Sequence, residues 1–368
     1  MFPRQLLKTR LGGKNMKRLY VTVLCLLTLF TISANADPIS YNAYGDNLVV
    51  NADATMPQMP VFEHKYMAKV FWASDAAITS EYNVEPAGVT EIDDIQLIQH
   101  AFSGDGIDIY SSNDGNYFYQ TENYMTYYTL LYYCTDVYDN FHPDWMLSNT
   151  DELDFMTAED AGKLIDNTMK AIFADVSASF DIKYDVYPAH AEDMRNKVAS
   201  ILEEECHSED DIAFYKRKYG LYEGCIVDGG DCYFIEGRVQ LDGLSMLTDS
   251  YSLSNISVYG IKIRAIVTRD GILCFKVSNA LSISGKEPTS PVQLSCEELL
   301  TNAGNFLDNI IGLTPLTVDK IELVYVPYPV ALREYELVPM LCLSSYDSEK
   351  DTYVQQLLIN VFTGELFF

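Results

Sequence analysis

Ile261-Lys-Ile-Arg-Ala-Ile-Val-Thr-Arg-Asp-Gly-Ile-Leu-Cys-Phe-Lys-Val277 is the stretch that sets the fold class. Two apolar runs meet at Arg269-Asp-Gly271, and Asp-Gly tolerates the positive φ that a tight hairpin turn needs. The pattern predicts strands over 257–268 and 272–283, joined as a hairpin. Working outward, a strand is expected over 232–241, and three more over 318–326, 334–344 and 353–362. Between these groups stands Ser295-Cys-Glu-Glu298, a full capping box, in which Ser and Glu satisfy each other's backbone N–H at a helix start. Leu299, Leu300, Ala303, Phe306, Leu307 and Ile310 follow at the helical period and form its apolar face.

The N-terminal half carries the same theme more faintly. Thr157-Ala-Glu-Asp160 is a near capping box, with Asp in the place usually held by Glu or Gln. Ala161, Leu164, Ile165, Thr168, Met169 and Ile172 continue it at helical spacing, and a strand over 180–187 follows. A third helix is expected over 190–205, with Met194, Val198, Ile201 and Leu202 on one side. Strands over 48–54 and 61–72 are separated by Met56-Pro-Gln-Met-Pro60, and a short helix is expected from Ser74. Ser111-Ser-Asn-Asp-Gly-Asn116 is a second hairpin turn. Hairpins dominate, so the expected class is α+β, with antiparallel sheets each packed by one or two helices.

Composition bounds compartment and partners. The 368 residues hold 53 acidic and 25 basic side chains, a formal net charge of −28. Lys17 and Arg18, the apolar run 19–32 and Ser33-Ala34-Asn35-Ala36 have the three-part layout of a secretory signal, with cleavage expected after Ala36. The run is shorter than the ~20 residues that span a bilayer, so no stable transmembrane span is expected after cleavage. Arg10-Leu-Gly-Gly-Lys-Asn15 resembles a translated ribosome-binding site, which points to Met16 as the true start. All six basic residues up to Ala36 leave with the signal, and no acidic residue precedes Asp37, so the mature net charge is −34. That surface repels nucleic acid and anionic lipid. Solubility outside the cell explains it, as would a calcium or cationic-peptide partner. Length argues for two domains, 37–222 and 223–368, after a signal peptide over 1–36.

Of eight cysteines, Cys25 lies in the signal, leaving an odd set of seven. Cys225 and Cys232 bracket the turn-rich Ile-Val-Asp-Gly-Gly-Asp and form the expected disulfide. Cys274 and Cys342 sit in apolar strands as small buried hydrophobes. No Cys-x-x-Cys pair supports a zinc ribbon or thiol redox chemistry.

The C-terminal half resembles PepSY-type modules. Tyr233-Phe-Ile-Glu-Gly-Arg-Val-Gln-Leu-Asp-Gly243 is similar to their strand and turn, 263–277 to their next hairpin, and Ser295-Cys-Glu-Glu-Leu299 to their capped helix. Leu337-Val-Pro-Met-Leu341 resembles a further strand of theirs, and Asn360-Val-Phe-Thr-Gly-Glu-Leu366 their closing turn. Met340 and Leu341 stand where many such modules carry tryptophan, and no lipobox cysteine is present. Similar modules occur in YycH/YycI-type regulators of Gram-positive bacteria and in exported proteins of gut Firmicutes. Residues 48–60 and Leu153-Asp-Phe-Met-Thr157 are similar to one such exported family. The resemblance implies two related PepSY-like units, an envelope regulatory role and no catalytic residues.

The search for chemistry returns little. His64, His100, His142, His190 and His207 form neither His-x-x-x-His nor His-Glu-x-x-His, so a zinc hydrolase is unsupported. Gly-x-Ser-x-Gly, the P-loop and Gly-x-Gly-x-x-Gly are absent. Asp105-Gly-Ile-Asp108 lacks the Asp-x-Asp-x-Asp-Gly calcium loop and reads better as a turn. Glu203 to Asp211 is a dense acidic run that reads as a solvated helix end or an unusual metal site. Eight tyrosines between Tyr117 and Tyr138 pack as strands or present a sugar-stacking face. The expectation is a non-enzymatic extracytoplasmic binding or regulatory protein of the cell envelope. No catalytic residue, metal or cofactor is assigned, and the partner is an envelope or extracellular protein or peptide, not nucleic acid. The alternative is a carbohydrate-binding or glycan-active protein using the tyrosine-rich region 117–138.

Overall fold

The computed structural model describes residues 41–74, 77, 85–86, 108–111, 117–120, 124–128, 151–193, 196, 208–209, 230–248, 251–252, 257–289, 292–310, 314–347 and 352–367. Among the described residues the strands are, in chain order, β1 Tyr41–Ala43, β2 Leu48–Asn51, β3 His64–Val70, β4 Glu85–Pro86, β5 Asp108–Ser111, β6 Tyr117–Gln120, β7 Tyr124–Tyr128, β8 Asp181–Ala189, β9 Cys232–Leu241, β10 Leu244–Ser245, β11 Tyr251–Ser252, β12 Ser257–Val258, β13 Lys262–Thr268, β14 Gly271–Ser278, β15 Leu281–Pro288, β16 Leu316–Val318, β17 Lys320–Ala331, β18 Glu334–Asp347, β19 Thr352–Asn360 and β20 Leu366–Phe367. The helices are α1 Ala158–Ile172, α2 Ala174–Ser179 and α3 Cys296–Leu307.

The fold is predominantly β, which corrects the α+β expectation of two PepSY-like units. Nine strands form one antiparallel sheet in the order β10-β9-β13-β14-β7-β6-β5-β4, with β8 on the other edge of β9. Six form a second antiparallel sheet, β15-β3-β18-β19-β20, with β17 on the other edge of β18. The physical reason is pairing at long range. β7 joins β14, β8 joins β9, and β3 joins both β15 and β18. Strands from both halves of the chain therefore build each large sheet, and neither half closes a small sheet under its own helix.

Local signals held. Thr157 caps α1 by accepting from Asp160 N at 3.1 Å. Ser295 caps α3 as a true box: Ser295 N donates to Glu298 Oε2 at 2.8 Å, and Glu298 N to Ser295 Oγ at 3.2 Å. The Arg269-Asp-Gly271 turn joins β13 to β14, with Gly271 at φ 113°. The predicted strand over 272–283 is broken at Asn279, whose φ of 53° turns the chain from β14 into β15.

The core runs between the two large sheets and the helices. Phe173, fully buried at the α1–α2 junction, packs on Phe71 at 5.6 Å and Phe275 at 5.7 Å. The segment before α1 is locked by Tyr233, whose hydroxyl accepts from Leu153 N at 2.9 Å and donates to Met156 O at 2.8 Å. The N-terminal strands close over α3. β2 pairs with β1 antiparallel and with β16 in parallel, so the sheet they form is mixed. Asp308 receives the backbone N–H of Asp46 at 3.1 Å and of Asn47 at 2.8 Å.

Candidate functional site

The described surface has a cleft of ≈ 280 Å³ where the two large sheets meet. Four pieces of backbone build it, one of them β17, which contributes Tyr325. Residues 60–63 lead into β3, the β9–β10 turn contributes Asp242, and β15 contributes Lys286. The turn is a two-residue hairpin connection in which Asp242 has φ 50° and Gly243 has φ 82°. Two positive φ values are what a type I′ turn requires, and Asp is among the few non-glycine residues that accept one.

Phe62 and Tyr325 form the aromatic wall of the cleft, and Tyr66 packs against Tyr325 next to it. Tyr66 and Tyr325 are both almost fully buried and meet edge-to-face, with centroids 6.2 Å apart at 88°. Phe62 meets Tyr325 at 5.9 Å and 76°. His64 tilts against Tyr66 at 6.1 Å. The T-shaped contacts satisfy the ring quadrupoles and fix the rings in place. The Tyr66 hydroxyl donates a short hydrogen bond to Asp242 Oδ2, tying the turn to β3.

Charge lies on the rim. Asp242, Glu63 and Lys286 are exposed, and His64 is half-buried. Lys286 is the cross-strand neighbour of Tyr66, and its Nζ stands 5.2 Å from the ring centroid, a cation–π contact. Burial raises the Tyr66 phenol well above its ordinary value, and the bond to Asp242 and its charge raise it further. Burial likewise raises Tyr325, aided by the Asp242 charge. Both therefore keep their protons at physiological pH. The phenol acts as a fixed donor to Asp242, and the chemistry on offer is recognition of charge at an aromatic wall.

No protein-family model and no curated protein matches the chain. It is similar to a solved structure. That structure is of an uncharacterized protein from Eubacterium rectale ATCC 33656, 13% identical, with a TM-score of 0.48 over 90% of this chain and 94% of that one.

Of the histidines, cysteines and acidic clusters weighed as chemical sites in the sequence, only His64 stands at this cleft among the described residues. Cys232 is buried at the start of β9, opposite Ala189, while Cys225 and any pairing with it lie outside the described residues. The signal segment and its cleavage site at Ala36 lie outside them too. So do His100, His142, His207 and most of the acidic stretches at 105–108 and 203–211. The tyrosine block enters as backbone only. β6 and β7 place Tyr117 opposite Tyr128 and Phe118 opposite Tyr127, and Tyr127 is opposite Phe275 of β14. Its side chains and residues 129–138 lie outside the described residues. Cys274 and Cys342 are buried within strands, as expected. Cys296 is buried with its Sγ 3.6 Å from Met56 Sδ, and its thiol is pushed up to about 11 by burial and by the charge of Glu297. Among the described residues no group of three or more His, Cys, Asp or Glu side chains is placed to hold a metal ion. Nor, among them, is any helix long and apolar enough to cross a membrane.

Sequence reasoning missed Tyr66, Asp242, Lys286 and Tyr325 as a set. The Asp242-Gly243 dipeptide was visible as a turn. Its partner Tyr66 lies 176 residues earlier, and no local pattern joins the two.

Proposed function

We propose that the chain is a non-enzymatic binding or regulatory protein that works outside the cytoplasm, at the cell envelope. The observation that carries this reading is the Tyr66–Asp242 cleft. Its Asp242 carboxylate is held by the Tyr66 hydroxyl, the phenols beside it keep their protons, and its charged rim faces solvent. A preorganised carboxylate on an aromatic wall suits recognition, because it presents one fixed charge without reorganising. The extracytoplasmic part of the reading rests on the basic stretch, the apolar run and the Ser33 to Ala36 site, together with the acidic mature surface.

Two measurements test it. N-terminal mapping of the protein from its native cells is expected to give a chain starting at Asp37 in the extracytoplasmic fraction. The purified mature chain is expected to retain peptide or protein ligands without turning over peptide or glycan substrates. Hydrolysis that disappears on Asp242→Asn would overturn the non-enzymatic reading.

A further inference from the structure

We propose that the Tyr66–Asp242 cleft receives a lysine or arginine side chain of a partner peptide, and that Lys286 is the internal stand-in which that side chain displaces. This rests on the binding reading above and names the ligand chemistry.

Three observations converge on this reading. First, Lys286 lines the cleft and lies over the ring of the adjoining Tyr66, so a cation already sits against this aromatic cluster. Its geometry is prepared by a β-bulge. β15 pairs Ile283 with Ala68 and then Gly285 with Met67, leaving Ser284 as the extra residue. A regular ladder would set Gly285 opposite Tyr66; the bulge sets Lys286 there instead. Second, the rim offers two carboxylates, Asp242 and Glu63, against that one ammonium, with Asp242 pinned by Tyr66. The cleft therefore keeps an excess negative charge beside an aromatic face, which is the environment that attracts cations. Third, the whole chain carries −28, and long-range steering favours a basic partner. A volume of ≈ 280 Å³ lies at the small end of ligand pockets, which run to ~300–1,000 Å³, so it fits one side chain rather than a larger molecule.

The stand-in is replaceable for a physical reason. An exposed cation–π contact is weak, and Lys286 lies on a flexible stem whose ammonium is well hydrated. An incoming cation that reaches Asp242 and Glu63 as well as the ring gains contacts that the ring alone does not give. Lys286 then returns to solvent.

The experiment uses the full mature chain and three blocked hexapeptides, alternating glycine with lysine, with glutamate or with norleucine. Affinity is read by calorimetric titration at two salt concentrations. The lysine peptide is expected to bind, more weakly at high salt, and the glutamate and norleucine peptides not to bind. Asp242→Asn is expected to weaken binding by about ten-fold, through loss of one charge-assisted contact. Asparagine accepts the positive φ of that turn, and a thermal melt shared with the parent protein confirms that the fold is kept. Lys286→Met is expected to tighten binding by about three-fold, because a competitor for the site is gone. Tightening by this variant is a sign that a merely structural lysine would not give.

The proposal is overturned if the lysine peptide fails to bind, or if Lys286→Met weakens it. If the glutamate or norleucine peptide binds instead, the cleft is still a binding site and only the cation assignment fails. If none binds and the chain turns over a substrate at the cleft, the binding reading falls as well.

Discussion

Gly304 of α3 has no space for a methyl group, and that makes Gly304→Ala a sharp test of how the N-terminus is held. A Cβ built there lies 1.7 Å from the Tyr44 carbonyl oxygen and 2.5 Å from its carbon. Carbon–oxygen contacts settle at about 3.3 Å or more, so the Tyr44 backbone must retreat by about 1.6 Å. It is not free to do so without loss. Tyr44 OH donates to Glu297 Oε2 at 3.0 Å, Asn47 Nδ2 to Leu307 O at 3.2 Å, and Asp308 holds the two backbone N–H groups of Asp46 and Asn47. These four bonds are mostly exposed, so their combined worth is about 2–4 kcal/mol. Alanine returns about 1 kcal/mol of helix propensity. The net effect is destabilisation by about 2 kcal/mol, read as a melting temperature lower by about 3 °C. Native-state hydrogen exchange is expected to quicken at the Asp46 and Asn47 amides while the α3 amides stay protected. Gly162→Ala on α1 is the control. Its Cβ would meet only Val186 Cγ2, at 3.4 Å, so the same chemical change is expected to stabilise by up to about 1 kcal/mol. A Gly304→Ala protein as stable as its parent, with unchanged exchange at Asp46, would refute the account of a strap seated directly on the helix.

Other expectations follow from single contacts. Ser295→Ala removes the side chain that caps Glu298 N, and unfolding in urea is expected to show a loss of about 1 kcal/mol. Glu298 is held below the usual carboxylate range first by the Ser295 backbone N–H and then by the Ser295 side chain. Its folded pKa is lowered, so its contribution is present above the ordinary carboxylate pKa and fades as pH falls below it. A Ser295→Ala effect that does not shrink in acid would contradict this. The phenols of Tyr66 and Tyr325 are raised, chiefly by burial, so the sign is opposite. Their stabilisation is complete below the unfolded phenol pKa of about 10 and drains away as pH rises beyond it. The urea midpoint is expected to fall between pH 9 and pH 11, and less steeply in Tyr66→Phe; equal midpoints in the parent protein would count against it. Cys296, with its thiol pushed up to about 11, is expected to resist alkylation at pH 8 until the chain is unfolded. Peptide mass mapping that finds Cys296 labelled in the native protein would show that its burial is wrong.

The parts of the molecule that were legible in the sequence are those whose physics is local. Thr157 and Ser295 each satisfy backbone donors within three residues, and Asp270-Gly271 turns the chain within two, so composition at those positions suffices. Sheet membership is different, because a strand's own residues do not say which edge it joins. β18 is the clearest case. Its fourteen residues take β17 along one edge and divide the other between β3 and β19. Nothing in Glu334–Asp347 distinguishes that role from membership of a small sheet, so hairpins beside capped helices fit α+β as well as they fit large shared sheets. The cleft was hidden for the same reason, compounded by register. Each of its members is unremarkable alone: a tyrosine in a strand, an aspartate in a turn, a lysine near a strand end. What brings Lys286 over Tyr66 is the single unpaired residue Ser284, which advances β15 by one position against β3. In a ladder of period two, one residue changes which side chain faces the neighbour. The binding surface proposed for this chain is thus set by a bulge, a feature of pairing that arises only once β3 and β15 have found each other.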